Sequence, residues 1–146
     1  MAYTDKVSEL VQTVRMLNWE VRPKINTTPG GNAAGNPLHQ ALAALRNDEI
    51  RTSQLIRGMS LAETVSEQAG GRVVEQAEAS TIGSRQLLSE FATAREAILS
   101  ILRNLTDAQW VETLATPDGD QTYEEVVDGL IESDKRHVSQ IQNAAR

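Results

Sequence analysis

Asp134 and His137 stand one helical turn apart in the stretch TYEEVVDGLIESDKRHVSQIQ. A carboxylate and an imidazole at that spacing can share a proton, orient a substrate or begin a metal site. Around them Tyr123, Val126, Val127, Leu130, Ile131, Val138 and Ile141 recur with helical period. At roughly 100° per residue, Asp134 and His137 fall inside that apolar arc. Glu49 and Arg95 interrupt two other apolar faces near mid-helix, and Asn18 interrupts a fourth. An unpaired buried charge costs several kcal/mol, so Arg95 is expected to pair with Glu49, Asp134 or both. Three arrangements are consistent with such a layer. The first is an ion-pair network that fixes helix register. The second is a ligand or active-site pocket in which Asp134, His137, Glu49 and Arg95 serve as acid, base or anion-binding groups. The third is a metal site with Glu49, Asp134 and His137 as ligands. Asp-x-x-His is a distant echo of the Glu-x-x-His of carboxylate-bridged bundles. Against a metal site stand the guanidinium in the same layer and the lack of paired motifs.

The elements that must position these groups read as helices. Thr4 or Asp5 to about Arg22 forms one face through Val7, Leu10, Val11, Val14, Leu17 and Val21, with Pro23 expected to end it. Trp19 points away from that face, as a partly exposed aromatic or a dimer contact. Residues 26–36 (NTTPGGNAAGN) read as a loop, with no phosphate-binding glycine motif. Asn36-Pro37 opens a second helix with Leu38, Ala41, Leu42, Leu45, Thr52, Ile56 and Met59 inside, and His39 on the solvated side. From Gly58 to Ser80 the pattern weakens. Short helices over 61–68 and 72–79 are expected there, within a long connection that crosses the bundle. The third long helix starts at Ser80 or Ser84 and runs to Asn104, with Leu87, Leu88, Phe91, Ala94, Ile98, Ile101, Leu102 and Leu105 inside. Thr106 to Gln109 is a capping box for a short helix reaching about Leu114, and Pro117-Asp118-Gly119 is a turn. Thr122 with Glu125 caps the last helix. No segment alternates with period two for long enough to be a strand. The fold class expected is all-α, a four-helix bundle forming one domain over residues 1–146.

Composition narrows the function. A net charge of −6, with Lys and Arg scattered among the acids and only 3% aromatic residues, excludes a basic or stacking surface for nucleic acid. No apolar run approaches the roughly 18 residues of a membrane span. The N-terminal residues lack a secretory pattern, which places the expectation in the cytoplasm. With no cysteine, disulfides, thiolate metal ligands and a cysteine nucleophile are ruled out.

Three stretches resemble the DinB/YfiT-like superfamily of four-helix proteins, which includes thiol-dependent S-transferases and isomerases. ALAALRNDEIR (Ala41 to Arg51) is similar to its second-helix motif, and LLSEFATAREAILSILRNLTDAQW (Leu87 to Trp110) to its third helix and following turn. TYEEVVDGLIESDKRHVSQIQ is similar to its last helix, where members often carry His-Asp-x-x-His. Metal-binding members use three histidines, one on the second helix and two spaced by four on the last. Here His137 matches the final one, Ser133 replaces its partner, and Ala44 stands where the second-helix histidine would be. The resemblance therefore implies the fold together with an incomplete metal triad, and no metal cofactor is expected. The expected function is a small-molecule-binding or homodimeric interaction module. The alternative is a thiol-dependent transferase-like enzyme with a mid-bundle pocket near Asp134 and His137.

Overall fold

The helices begin where side chains can satisfy their first backbone donors. In the computed structural model, which describes residues 2–27, 36–57 and 82–145, Asn36 caps α3 (Pro37–Ile56) by accepting from the His39 amide, with Pro37 in the first turn. Thr106 and Gln109 form a reciprocal capping box on the short α5 (Asp107–Trp110). Thr122 and Glu125 form another on α6 (Tyr123–Ala144), with bonds of 2.9 and 3.0 Å. The remaining helices are α1 (Ala2–Met16), α2 (Arg22–Thr27) and α4 (Ser84–Arg103). The described residues are thus mostly helical. Of the expected loop over 26–36, Asn26 and Thr27 instead end α2 and Asn36 caps α3, while residues 28–35, the expected short helices over 61–68 and 72–79, and Met59 lie outside the described residues.

Pro23 does not stop the first helix as expected. A π-turn at Leu17–Val21 joins α1 directly to α2, and Pro23 sits in the turn after it. The wider turn, in which the Arg22 amide reaches back to the Leu17 carbonyl, relieves the clash that a proline ring makes with the carbonyl four residues before it. It also changes the helical phase. Each residue of a π-turn advances less around the axis, so Leu17 and Val21 stay buried while Asn18 is carried to the surface. Asn18, expected inside, instead accepts two bonds from Arg22 at 3.2 and 3.1 Å. Trp19 is 84% exposed, well beyond the partial exposure expected.

A two-stranded hairpin corrects the strand-free expectation. β1 (Thr113–Thr116) pairs antiparallel with β2 (Gly119–Thr122), in the register Thr113 with Thr122 and Thr116 with Gly119. Gly119, at φ +106°, supplies the left-handed residue that closes the turn after Pro117 and Asp118. The Thr116 hydroxyl donates to the Gly119 carbonyl at 2.6 Å. With four residues per strand and Leu114 alone buried among them, the hairpin leaves no alternation to read.

Contacts between the long helices fix their directions. His39 meets Ile82, Arg46 meets Glu90 and Glu49 meets Arg95, so α3 and α4 run parallel rather than in the usual antiparallel fashion. Lys6 meets Asp128 and Glu20 meets Gln142, so α1 runs parallel to α6. Asp48 bonds His137 and Asp134 shares Arg95 with Glu49, which makes α6 antiparallel to α3. The ends joined by residues 58–81 therefore lie at opposite ends of the molecule. Buried apolar side chains form two clusters. One holds Leu17, Val21, Leu42, Leu88, Phe91 and Ile141, and the other Leu10, Ile56, Ile98, Leu102, Trp110, Val127 and Ile131. Between them, on α3, α4 and α6, lie Glu49, Arg95 and Asp134. Among the described residues no helix is long and apolar enough to cross a membrane.

Candidate functional site

Arg95 is brought to the middle of the core because α4 turns it inward between Phe91 and Ile98, all three with no exposed surface. Its guanidinium lies 5.0 Å from the centre of the Phe91 ring one turn earlier. Every one of its five N–H groups is used. Nε and Nη2 bond the two oxygens of Glu49, the second at 2.8 Å. Nη1 and Nη2 bond the two oxygens of Asp134 at 3.0 and 2.7 Å, and Nη1 also donates to the Leu10 carbonyl of α1 at 3.0 Å. One side chain thereby ties four helices together through two bidentate carboxylate pairs.

One guanidinium faces two carboxylates, 1% and 4% exposed as residues. Burial pushes the Glu49 carboxyl above the usual glutamate value, and the bond and charge of Arg95 only partly oppose that. Burial also acts to lower the Arg95 pKa, but the two carboxylates outweigh it and raise the pKa above its ordinary value.

His137 is placed apart from this network. Its Nε2 lies 2.8 Å from Asp48 Oδ2, across the α3–α6 contact. The bond to His137 is the main reason why the Asp48 carboxyl is held below the usual aspartate value. His137 Nδ1 is buried and has no hydrogen-bond partner. Of the four residues singled out as catalytic candidates, Arg95, Glu49 and Asp134 are joined directly, while His137 pairs with a residue the sequence did not single out. The α3 residue opposite His137 is Asp48, one turn beyond Ala44, which lies in the groove beside Gln140 and Asn143.

Neither metal arrangement fits these donors. Glu49 and Asp134 are both engaged by a guanidinium, which repels a cation. At the position compared with the histidine triad, Ala44 has no donor atom, Ser133 offers only a hydroxyl and His137 Nε2 is held by Asp48. Among the described residues no group of three His, Asp or Glu side chains is arranged to hold a metal ion.

A second buried cation escaped the sequence reading. Arg46, 1% exposed, bonds Glu90 through Nε and Nη2 at 3.0 and 2.7 Å and Asn47 at 2.8 Å. Gln86 steadies the other Glu90 oxygen at 2.9 Å. His39, expected on the solvated side, is 2% exposed, with Nε2 2.6 Å from the Ile82 carbonyl. Both errors have one cause. Helix α3 packs between α4 and α6, so it buries more of its circumference than a single apolar stripe predicts.

Two cavities lie along α6, and the first borders the polar layer. It has about 460 Å³, lies between α1 and α6 and is lined by Ser8, Glu9, Gln12, Thr13, Met16, Ile131, Asp134, Lys135 and Val138. The other, of about 400 Å³, lies between α3, the hairpin and α6 and includes Asp48, Thr52, Gln121, Leu130 and Ser133. Compared with protein-family models, with curated proteins and with solved structures, the chain matches none.

Proposed function

We propose that this chain is a small-molecule-binding, DinB/YfiT-like four-helix bundle that works without the metal of its metal-binding relatives. The cavity between α1 and α6 carries the reading. It has the volume of a small-ligand pocket, and its lining combines apolar walls with a few polar groups. Asp134 lines it while being held rigidly from behind by Arg95, which is how a binding group is preorganised. The parallel α3 and α4, joined through residues 58–81, support the bundle assignment. A thermal-shift screen of low-molecular-weight thiols, carboxylates and amines tests the function, since a ligand present well above its Kd raises Tm by mass action. Thr13→Trp, which fills the cavity, should remove the response. No response to any class would count against the reading. A stoichiometric transition metal in the purified protein, lost in His137→Ala, would overturn its metal-free part. A homodimer through the outer face of the π-turn at Leu17–Val21 belongs to the same proposal, supported by the exposure of Trp19. Sedimentation of Trp19→Ser against the parent chain tests it.

A second reading, a thiol-dependent transferase-like enzyme, is favoured by one observation. The Asp48–His137 pair has the geometry of an oriented base, with Nδ1 buried and unpartnered. To take the proton of a thiol bound near Ser133, Nδ1 has to be uncovered first. Thiol-transfer activity lost in His137→Gln, with the fold intact, would support it.

A further inference from the structure

The groups at the α1–α6 cavity discriminate between ligand charges. Of Arg95, Glu49 and Asp134, only Asp134 borders the cavity, so the network presents a carboxylate there and no cation. Arg95 has no N–H left to offer a ligand, because its donors are all used by Glu49, Asp134 and Leu10. Each Asp134 oxygen accepts one bond from Arg95 and keeps a further lone pair. Glu9, on the α1 side, makes no ion pair among the described residues. The cation at the cavity, Lys135, is largely exposed and paired with Glu132 at 3.4 Å. Further links join the same two helices to either side of the cavity along the chain, Lys6 to Glu124 and Asp128, and Gln142 to Glu20.

We propose that this cavity takes a small organic monocation, an alkylammonium whose head meets Asp134 and Glu9 and whose hydrocarbon body lies along Met16, Ile131 and Val138. The proposal rests on the small-molecule reading above and names its ligand class. An anionic ligand would meet like charge at Asp134 and Glu9, and a neutral one would leave both carboxylates without a counter-charge. Ser8, Gln12 and Thr13 supply oxygen acceptors for the remaining ammonium hydrogens.

Titration calorimetry of the full chain with n-hexylammonium, hexanoate and n-hexanol separates charge from hydrocarbon body. One-to-one binding of hexylammonium is expected, with the other two at least about tenfold weaker, the scale of one charge-assisted contact. Asp134→Asn is a poor first test because it also breaks the Arg95 network. Glu9→Gln leaves that network intact and should weaken hexylammonium several-fold, and Thr13→Trp should abolish binding. If hexanoate or hexanol binds as tightly as hexylammonium and is lost in Thr13→Trp, the cation assignment falls while the small-molecule reading stands. If hexylammonium binds equally well to Thr13→Trp, the site is elsewhere and both fall. If none of the three binds, the cation proposal is overturned, and the wider ligand screen decides the reading beneath it.

Discussion

Arg95 and Asp134 face each other through two parallel hydrogen bonds, of 3.0 and 2.7 Å, while the other edge of the same guanidinium holds Glu49. The guanidinium at the centre of the molecule is therefore saturated, and it binds the two carboxylates into one triad. Its members respond to substitution as a unit.

Arg95→Met alone strands two buried carboxylates and should destabilise the fold by about 3–5 kcal/mol, the cost of breaking a buried pair. Replacing all three, with Arg95→Met, Glu49→Leu and Asp134→Leu, should recover most of that loss, because the desolvation penalty disappears with the charges. Urea denaturation of the two variants checks this. A triple variant no more stable than the single one would show that the network contributes more than its own desolvation costs.

Glu49 gives stability a particular pH dependence. It faces Arg95 on α4 and Asp134 and His137 on α6, and burial, the largest influence, raises its pKa above the ordinary 4.5. The native state then keeps a proton that the unfolded chain has released. The contribution of Glu49 is full below 4.5 and is lost as pH rises through the raised native value. Asp48, with a lowered pKa, acts in the opposite sense, and its contribution is lost as pH falls below the usual aspartate range. Carboxyl-carbon NMR should find the Glu49 midpoint above 4.5; a midpoint at or below it would mean that the bonds of Arg95 outweigh burial.

Because Asp48 accepts from Nε2, neutral His137 should carry its proton there, leaving Nδ1 as a bare acceptor. Long-range nitrogen–proton correlation spectra distinguish the two tautomers. In Asp48→Ala the preference should weaken, with a stability change of about 1 kcal/mol or less, since Asp48 is half exposed.

Gly129 lies on the exposed side of α6, and a Cβ built there meets nothing within 4 Å. Gly129→Ala should therefore stabilise the protein by about 0.5–1 kcal/mol through the entropy of the unfolded chain. At Gly119 the same substitution should destabilise, because its φ of +106° is unfavourable for a side chain. Thermal denaturation of the pair compares the two signs directly.

Much of this was local and therefore legible. The capping boxes at Thr106 and Thr122, the starts of α3 and α6, and the inward phase of Glu49, Arg95 and Asp134 all follow from spacing along one helix. So did the pairing of Arg95, since burial of a lone charge is prohibitive. Other features depend on more than one helix or on a change of helical geometry. The π-turn turned Asn18 outward. The packing of α3 on two sides buried His39 and Arg46, which one apolar stripe could not indicate. The hairpin was too short to show a period.

Sequence by itself thus determined where the long helices run and that Glu49, Arg95 and Asp134 must be buried together, because helical period and desolvation act on each segment separately. Tertiary structure alone decided the parallel course of α3 and α4, the Asp48–His137 pair and the cavity beside Asp134. Those depend on how neighbouring helices are aligned, and the spacing within any one helix carries no information about its neighbour's direction or height.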